Sequence, residues 1–169
     1  MRPHAWQWHI GYVNDTCAPW GRGLDSYIGY MNGNEGYYAH GFGPYPDWHA
    51  CGLPPTTHPP ASLVEASHAT AHNFSTCDAC SHLYDGRYST EVYAQRATDL
   101  ICAWKPGDPP LFVYLAWQAV HEPIEAPARF VKRFGAIGDR SRRVYAAMLL
   151  ALDEGIKYTL PLTFLPSLP

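Results

Sequence analysis

Residues 111 to 117 constrain the fold more than any other segment. They read Leu-Phe-Val-Tyr-Leu-Ala-Trp, seven apolar or aromatic residues in a row after two prolines. A short, continuous apolar run next to turn residues is typical of a strand buried on both faces, as in a parallel sheet. We therefore predict a buried strand over residues 111 to 117.

Helical periodicity lies on both sides of this segment. Residues 90 to 104 predict one helix, which Ser89 or Thr90 can cap. Its inward face is expected to carry Tyr93, Ala97, Leu100, Ile101 and Trp104. A short helix is predicted after Pro127, and a longer one over about residues 140 to 157. The inward residues of the longer helix are Val144, Met148, Ala151, Leu152 and Ile156. Helix, buried strand and helix together predict a layered α/β architecture.

The two ends of the chain lack such periodicity. Residues 1 to 60 are dense in Gly, Pro, Asn and Tyr from residue 22 onwards and predict turns and loops. Residues 158 to 169 contain three prolines, so we expect them not to continue the helix. We interpret that tail either as a disordered end or as residues read outside the proper frame.

The composition argues against several classes of protein. Hydrophobic residues make up 47%, which argues against intrinsic disorder. The net charge of -3 gives no reason to expect a nucleic acid or a membrane surface as partner. No apolar stretch approaches the roughly 20 residues of a membrane span. The first residues, MRPHAWQWHIGY, contain no signal-peptide core.

Cysteines and sequons together favour a secretory protein. The chain has five cysteines, and N-glycosylation sequons begin at Asn14 and Asn73. Cys77 and Cys80 form a Cys-x-x-Cys pair, which is compatible with a disulfide, a redox site or a zinc site. No strand precedes the pair and no second pair follows it, so a disulfide is favoured.

One histidine follows the predicted strand closely. His121 stands four residues beyond it, where ligands bind in open α/β sheets. Glu122 can orient the ring and Pro123 can fix the turn. Imidazole suits proton transfer or contact with an anion near neutral pH. The alternative is a structural histidine at the end of a strand. His49 and the histidines between residues 58 and 82 are expected in solvated loops.

Five segments resemble, in order, those of type I sulfatases, especially the arylsulfatase B branch. The family's Gly-Lys-Trp-His-Leu-Gly motif is similar to WQWHIG at residues 6 to 11. Its Arg-Gly-Phe-Asp-x-Tyr-x-Gly segment is similar to residues 22 to 40, and its Gln-x-Val-His-x-Pro turn to residues 118 to 123. Residues 88 to 101 and 145 to 156 fit the two helices that lie before and after that turn.

The resemblance implies a fold and a chemistry. The fold would be alkaline-phosphatase-like α/β, with a mostly parallel sheet flanked by helices. The chemistry would be hydrolysis of a sulfate ester, with a formylglycine nucleophile made from cysteine and with a calcium ion. His9 and His121 match active-site histidines, and His121 would also contact the sulfate group. Gln7 stands where the family has an active-site lysine, so it would bind sulfate without a charge.

Other parts of the family pattern are missing from these residues. The nucleophile motif Cys-x-Pro-x-Arg and the first calcium aspartates lie upstream of residue 1 in the family, and further ligands lie downstream of residue 157. Cys17 begins CAPWGR, which imitates the nucleophile motif. The arginine of this segment is displaced by one position, however, and the segment follows the first histidine motif instead of preceding it. We therefore reject Cys17 as the nucleophile.

The resemblance also implies covalent features and a location. It suggests a disulfide between Cys51 and Cys77, with Cys80 as the alternative partner and Cys17 unpaired. Sulfatases of this branch are lysosomal or secreted, which suits glycosylation at Asn14 and Asn73.

The expected organisation is a partial sulfatase catalytic domain over residues 1 to 157, followed by an aberrant or disordered tail over 158 to 169. The expected function is hydrolysis of a sulfuric ester, with sulfated glycans as the substrates that the resemblance favours and with the 169 residues inactive on their own. Two alternatives stay open: a non-catalytic anion-binding fragment or mispredicted gene product, and a phosphoesterase of the same superfamily.

Overall fold

Three α-helices, three short 3₁₀ helices and four short strands lie in the described parts of the chain, residues 7–51 and 84–163 of a computed structural model. The α-helices are α1 (Ser89–Ala103), α2 (Ala128–Val131) and α3 (Arg140–Thr163). The strands are β1 (Tyr27–Gly29), β2 (Gly41–Phe42), β3 (Tyr45–Pro46) and β4 (His49–Cys51). All three predicted helices are therefore confirmed.

Helix α1 differs from the prediction at its two ends. The residue before its first turn is Tyr88, whose side chain makes no capping hydrogen bond, and Ser89 is turned inward instead. At the other end Trp104 is extended and 40% exposed, so its predicted inward position is wrong. The helix ends at Ala103, and Trp104 therefore leaves the apolar face that Tyr93, Ala97 and Leu100 share.

Helix α3 continues six residues past the predicted end at 157, so the expectation that residues 158 onwards leave the helix is wrong as far as Thr163. Ala151, Gly155 and Thr159 follow one another at a spacing of four, and all three are buried. The Thr159 hydroxyl also donates to the carbonyls of Gly155 and Ile156. Packing of this face extends the helix up to Pro161, which lies in the last turn. Residues 164–169 lie outside the described part.

The predicted buried strand at residues 111 to 117 is wrong. The segment pairs with no strand among the described residues. Phe112 and Tyr114 are 59% and 55% exposed, whereas Leu115 and Trp117 pack against the core. Only one of its two faces is therefore covered by the described residues.

Residues 27 to 51, which the sequence predicts as loops, hold the four strands. Strand β1 pairs with β4, and β2 with β3, both in the antiparallel sense. The mostly parallel sheet is therefore not seen here, and the bridge between Gln7 and Tyr30 is the one parallel pairing in the described residues. Antiparallel pairing follows from the short connection between β2 and β3, because a parallel pair needs a long crossover.

The small β1–β4 sheet packs against helix α1. Buried side chains of both, and of the residues next to them, form one apolar cluster: Ile28, Tyr30, Trp48, Ala50, Tyr84, Val92, Tyr93 and Ala97. A second cluster joins Tyr37 and Tyr88 to helices α2 and α3 through Phe130, Ala147, Met148 and Ala151. The loop between β1 and β2 therefore lies between two apolar clusters, and it carries the polar groups described next.

Candidate functional site

His9 stands exposed at the start of the described chain, and two contacts fix it. Its N–H donates to the Met31 carbonyl at 3.0 Å, and the preceding Trp8 N–H donates to Tyr30 at the same distance. Its ring lies against Gly33, where an added Cβ would be 2.6 Å from His9 Cε1. Only a glycine at position 33 leaves room for the imidazole in this place.

The residues that hold His9 are themselves held by Asp47. The Asp47 carboxylate accepts the N–H groups of Met31 and Asn32 at 3.0 and 2.9 Å, and the Asn32 amide at 2.8 Å. His49 Nε2 lies 3.0 Å from the same carboxylate. His49 is thus half-buried in β4 and bonded to Asp47, so its expected place in a solvated loop is wrong.

Asp47 has a second carboxyl as its neighbour. Glu35 is 1% exposed, and no N–H or O–H donor faces either of its carboxyl oxygens. Burial, with the negative charge of Asp47, raises the pKa of Glu35 to about 9. Burial also acts to raise the pKa of Asp47, but hydrogen bonds from His49, Met31 and Asn32 outweigh it and lower that pKa well below its ordinary value. At neutral pH Asp47 is therefore ionised and Glu35 is protonated.

His40 is the histidine of this loop. It is fully buried and stacked on Trp48, with ring centroids 4.0 Å apart. Burial lowers its pKa to about 4, so the ring is neutral at pH 7 and serves as a packing group.

His121 is exposed in a turn that follows the extended segment. Its N–H donates to the Gln118 carbonyl at 2.9 Å, and its carbonyl accepts the Tyr37 hydroxyl at 3.0 Å. Its Nδ1 lies 2.8 Å from the Glu122 backbone carbonyl. The Glu122 backbone, rather than its carboxylate, therefore contacts the ring.

Gln118 and Glu125 attach this turn to the rest of the molecule. Gln118 is 2% exposed, and its amide accepts from the Ser89 hydroxyl and donates to the Glu35 carbonyl. The Glu125 carboxylate accepts the Tyr37 N–H at 2.7 Å, and the Tyr88 hydroxyl donates to the Glu125 carbonyl. The turn is thus fixed to the start of α1 and to residues 35–37.

Both predicted histidines are therefore attached to one segment, residues 31–37. His9 rests on its first three residues, and the carbonyl of His121 binds its last one. Their separation of about 10 Å or less across a shared cleft stays a prediction.

Most of the other predicted positions also stay predictions. Gln7 is half-buried and held by its backbone bridge to Tyr30. Asn14 is exposed, and Cys17 has no disulfide partner among the described residues. Asn73, Cys77 and Cys80 lie outside the described residues, so the disulfide from Cys51 and the Cys-x-x-Cys alternatives stay untested.

Sequence reasoning missed the polar residues beneath the two histidines, above all Glu35, Asp47 and Gln118. Glu35 and Asp47 occur in a stretch rich in Gly, Asn and Pro, which reads as solvated. For Gln118, the available signal was a single amide directly after seven apolar residues.

Two solved structures align with most of this chain. The crystal structure of Ps i-CgsB aligns with 94% of this chain and 32% of its own, at a TM-score of 0.63 and 20% identity. Its complex with k-i-k-neocarrahexaose covers the same shares at a TM-score of 0.61 and 20% identity. The likeness supports the alkaline-phosphatase-like α/β fold.

The chain belongs to the sulfatase family, whose model matches residues 5–160. Mouse "Arylsulfatase J" is 34% identical over 151 residues, 89% of this chain and 22% of the relative. The "Arylsulfatase" of Klebsiella aerogenes is 30% identical over 131 residues, 77% of this chain and 23% of the relative. The chain thus spans less than a quarter of the length of these curated relatives.

The described residues do not fit the calcium ion that the family resemblance implies, although sulfatases are generally metal-dependent. Across residues 7–51 and 84–163, no three His, Cys, Asp or Glu side chains converge as a metal site needs. Asp47 is already engaged by N–H groups from Met31, Asn32 and His49. No step proposed below therefore passes through a metal ion held by these residues.

Proposed function

We propose that this chain forms a sulfate-recognising part of a sulfuric ester hydrolase, in which His9 and His121 contact the sulfate group. The observation that carries the proposal is that the main chains of both exposed histidines are bonded to one segment, residues 31–37: the His9 N–H donates to the Met31 carbonyl, and the His121 carbonyl accepts the Tyr37 hydroxyl. Membership of the sulfatase family supports a sulfate ester as the ligand.

The chemistry of the two side chains suits this role. A protonated imidazole donates charge-assisted hydrogen bonds to anionic oxygens, which are roughly twice as strong as neutral ones. An imidazole can also supply the proton that the leaving oxygen needs. Gln7, two residues before His9, would add a neutral amide donor to the same group. The result is a site that binds the ester and assists departure of the alcohol.

The activity of the whole protein is proposed at the level of an arylsulfatase or N-acetylgalactosamine-4-sulfatase, in a lysosomal or secreted setting with calcium. The exposed Asn14, in a sequon, is compatible with that setting. Sulfated glycans are the proposed substrate class. In the described part of the chain, no helix combines the length and apolarity of a membrane span.

Binding of inorganic sulfate tests the proposal directly. Isothermal titration of the 169-residue chain should detect sulfate, with affinity falling about tenfold in His9→Gln and in His121→Gln, since each loses a charge-assisted contact. Lys105→Gln, which removes an exposed cation elsewhere, should leave affinity unchanged. Phosphate bound more tightly than sulfate would favour the phosphoesterase alternative. Equal binding by all four proteins would refute the assignment of the histidines.

Turnover should be absent from the same preparation. These 169 residues contain no Cys-x-Pro-x-Arg motif, and proton transfer by histidine typically contributes only ~10²–10⁴-fold. Enzymes usually reach ~10⁶-fold or more. We expect no hydrolysis of 4-nitrocatechol sulfate with or without calcium. Turnover that survives Cys17→Ala would reveal another nucleophile, whereas turnover abolished by it would make Cys17 the nucleophile.

A further inference from the structure

We propose that Asp47 is a positioning residue for His9: it fixes the backbone of residues 31–33 and thereby sets where the imidazole stands towards a sulfate group. The sulfate role of His9 rests on the proposed function. The placement of the ring by Asp47 rests on geometry alone.

The first step is the contact between Asp47 and residues 31–32. Asp47 is 7% exposed, and both of its oxygens are used: Oδ1 accepts the Met31 N–H and Oδ2 accepts the Asn32 N–H. The Asn32 amide binds Oδ2 as well, at 2.8 Å. Two consecutive backbone N–H groups on one carboxylate define both the position and the direction of that backbone.

The backbone of residues 31–33 in turn contacts His9 directly. The Met31 residue that donates to Asp47 also accepts the His9 N–H, at 3.0 Å in both cases. Gly33, one residue beyond Asn32, forms the surface on which the His9 ring lies. A shift of residues 31–33 therefore moves both the main-chain anchor of His9 and the support of its ring.

The geometry requires a carboxylate, rather than an amide, at position 47. An asparagine of the same shape would keep one acceptor oxygen and replace the other with a donor. That donor would face either the Met31 N–H or the Asn32 N–H, and one of these groups would lose its partner. The neighbouring carboxyl of Glu35 accepts none of these N–H groups.

Histidine-selective nuclear magnetic resonance of the full 169-residue chain tests the proposal, with His9 assigned through His9→Gln. In the wild type, ring protons of His9 should show a nuclear Overhauser contact to the Gly33 α-protons. In Asp47→Asn that contact should weaken, and the dissociation constant for inorganic sulfate should rise roughly tenfold, the equivalent of one charge-assisted hydrogen bond. The His121 signals should stay in place in the absence of sulfate.

Two further variants make the result specific. Gly33→Ala leaves Asp47 untouched but pushes the ring away, since the three heavy atoms nearest to the added Cβ all belong to His9. It should lose sulfate affinity to a similar extent. Asp108→Asn alters a carboxylate that accepts the Lys105 N–H at 2.9 Å in an exposed turn. It should change neither His9 nor sulfate binding.

Each outcome decides the proposal. A folded Asp47→Asn with unchanged His9 signals and unchanged sulfate affinity would refute it. If Asp47→Asn fails to fold, Asp47→Glu keeps the charge but moves the carboxylate by one methylene relative to the Met31 and Asn32 N–H groups, and an unmoved His9 ring with unchanged sulfate affinity there would refute it equally. If the wild-type chain binds no sulfate, the proposed function fails for this chain, while the His9–Gly33 contact in the variants still decides whether Asp47 positions the ring.

Discussion

The two candidate histidines are held by different chemistry. The His9 seat, which consists of residues 31–33 and Asp47, depends on an ionised carboxylate beside the protonated carboxyl of Glu35. The His121 turn, residues 118–125, depends mainly on hydrogen bonds of neutral groups, those of Gln118, Tyr37 and Tyr88. Its carboxylate contact is Glu125, which accepts the Tyr37 N–H. One histidine is thus positioned by a charged group that has a titrating carboxyl beside it, and the other mainly by neutral groups.

The two regions should therefore respond differently to changes of pH. Burial has displaced the pKa values of Glu35 and His40, both near the His9 seat, far from their ordinary ranges. Amide and tyrosine hydroxyl groups do not change charge between pH 4 and 9. Changes of pH in that range should therefore alter the region around His9 before they alter the His121 turn.

The largest expected effect comes from Asp47→Ala. It leaves the N–H groups of Met31 and Asn32 without their acceptor, and each such loss costs roughly 1–3 kcal/mol in a buried place. We expect the free energy of unfolding to fall by about 3 kcal/mol in urea titrations. Asp108→Ala, in an exposed turn, should change it by less than about 0.5 kcal/mol. Equal losses of stability in the two variants would show that the Asp47 contacts to Met31 and Asn32 do not stabilise the fold more than an exposed turn does.

A smaller loss is expected in the His121 turn from Gln118→Ala. The buried amide would no longer join Ser89 to the Glu35 carbonyl, a loss of about 2 kcal/mol. The loss should be the same at pH 5 and pH 8, because no titrating group is removed. The control is Gln95→Ala on α1, whose exposed bond to Asp99 contributes only a few tenths of a kcal/mol. A strongly pH-dependent loss in Gln118→Ala would contradict the contrast between the regions.

The third effect is on how steeply the free energy of unfolding falls with pH. Glu35 has an ordinary pKa of 4.5 and a folded pKa of about 9, so the unfolded chain releases its proton first as pH rises. Its contribution to stability is full below pH 4.5 and is lost progressively towards pH 9. Glu35→Gln should flatten this decline, whereas Glu154→Gln, at an exposed site, should not. Urea titrations at several pH values measure the free energy of unfolding. If it declines with pH in Glu35→Gln as it does in the wild type, Glu35 is not the titrating group.

The smallest effect is expected from Phe112→Ser. Phe112 is 59% exposed in the extended segment, so its replacement should change the unfolding free energy by less than about 0.5 kcal/mol. Leu100→Ala, at a 5% exposed position of α1, should cost about 2–5 kcal/mol. A Phe112→Ser loss near that of Leu100→Ala would restore the predicted strand that is buried on both faces.

The sequence predicted the helices well because their signal is local. Residues such as Tyr93, Ala97 and Leu100 repeat at helical spacing, and that period identifies one buried face of α1, although Arg96 and Thr98 are buried there as well. The strand at 111 to 117 was misjudged because an apolar run does not reveal which other residues cover it. The end of α3 was misjudged because Thr159 packs well enough to extend the helix up to a proline.

In the candidate site, too, the residues in local motifs could be predicted and those that depend on long-range contacts could not. Motifs identified His9 and His121 directly, since the resemblance to sulfatases is carried by short segments around them. Their supports are joined across large distances in the chain, as between Gln118 and Glu35, which are 83 residues apart. No local pattern predicts such pairs, and the burial that shifts the pKa of Glu35 exists only once they have formed.

The exposed side of residues 111 to 117 has a consequence for the behaviour of the chain at high concentration. A stretch of seven residues with strong β-propensity, no charge and no proline is the kind of segment that starts ordered aggregation when its edge is accessible. Two prolines precede it, while Glu122 and Pro123 follow it closely, an arrangement typical of gatekeeper residues. Phe112→Lys or Tyr114→Lys should therefore slow aggregation of the chain at high concentration, because either puts a charge on the exposed side of this segment.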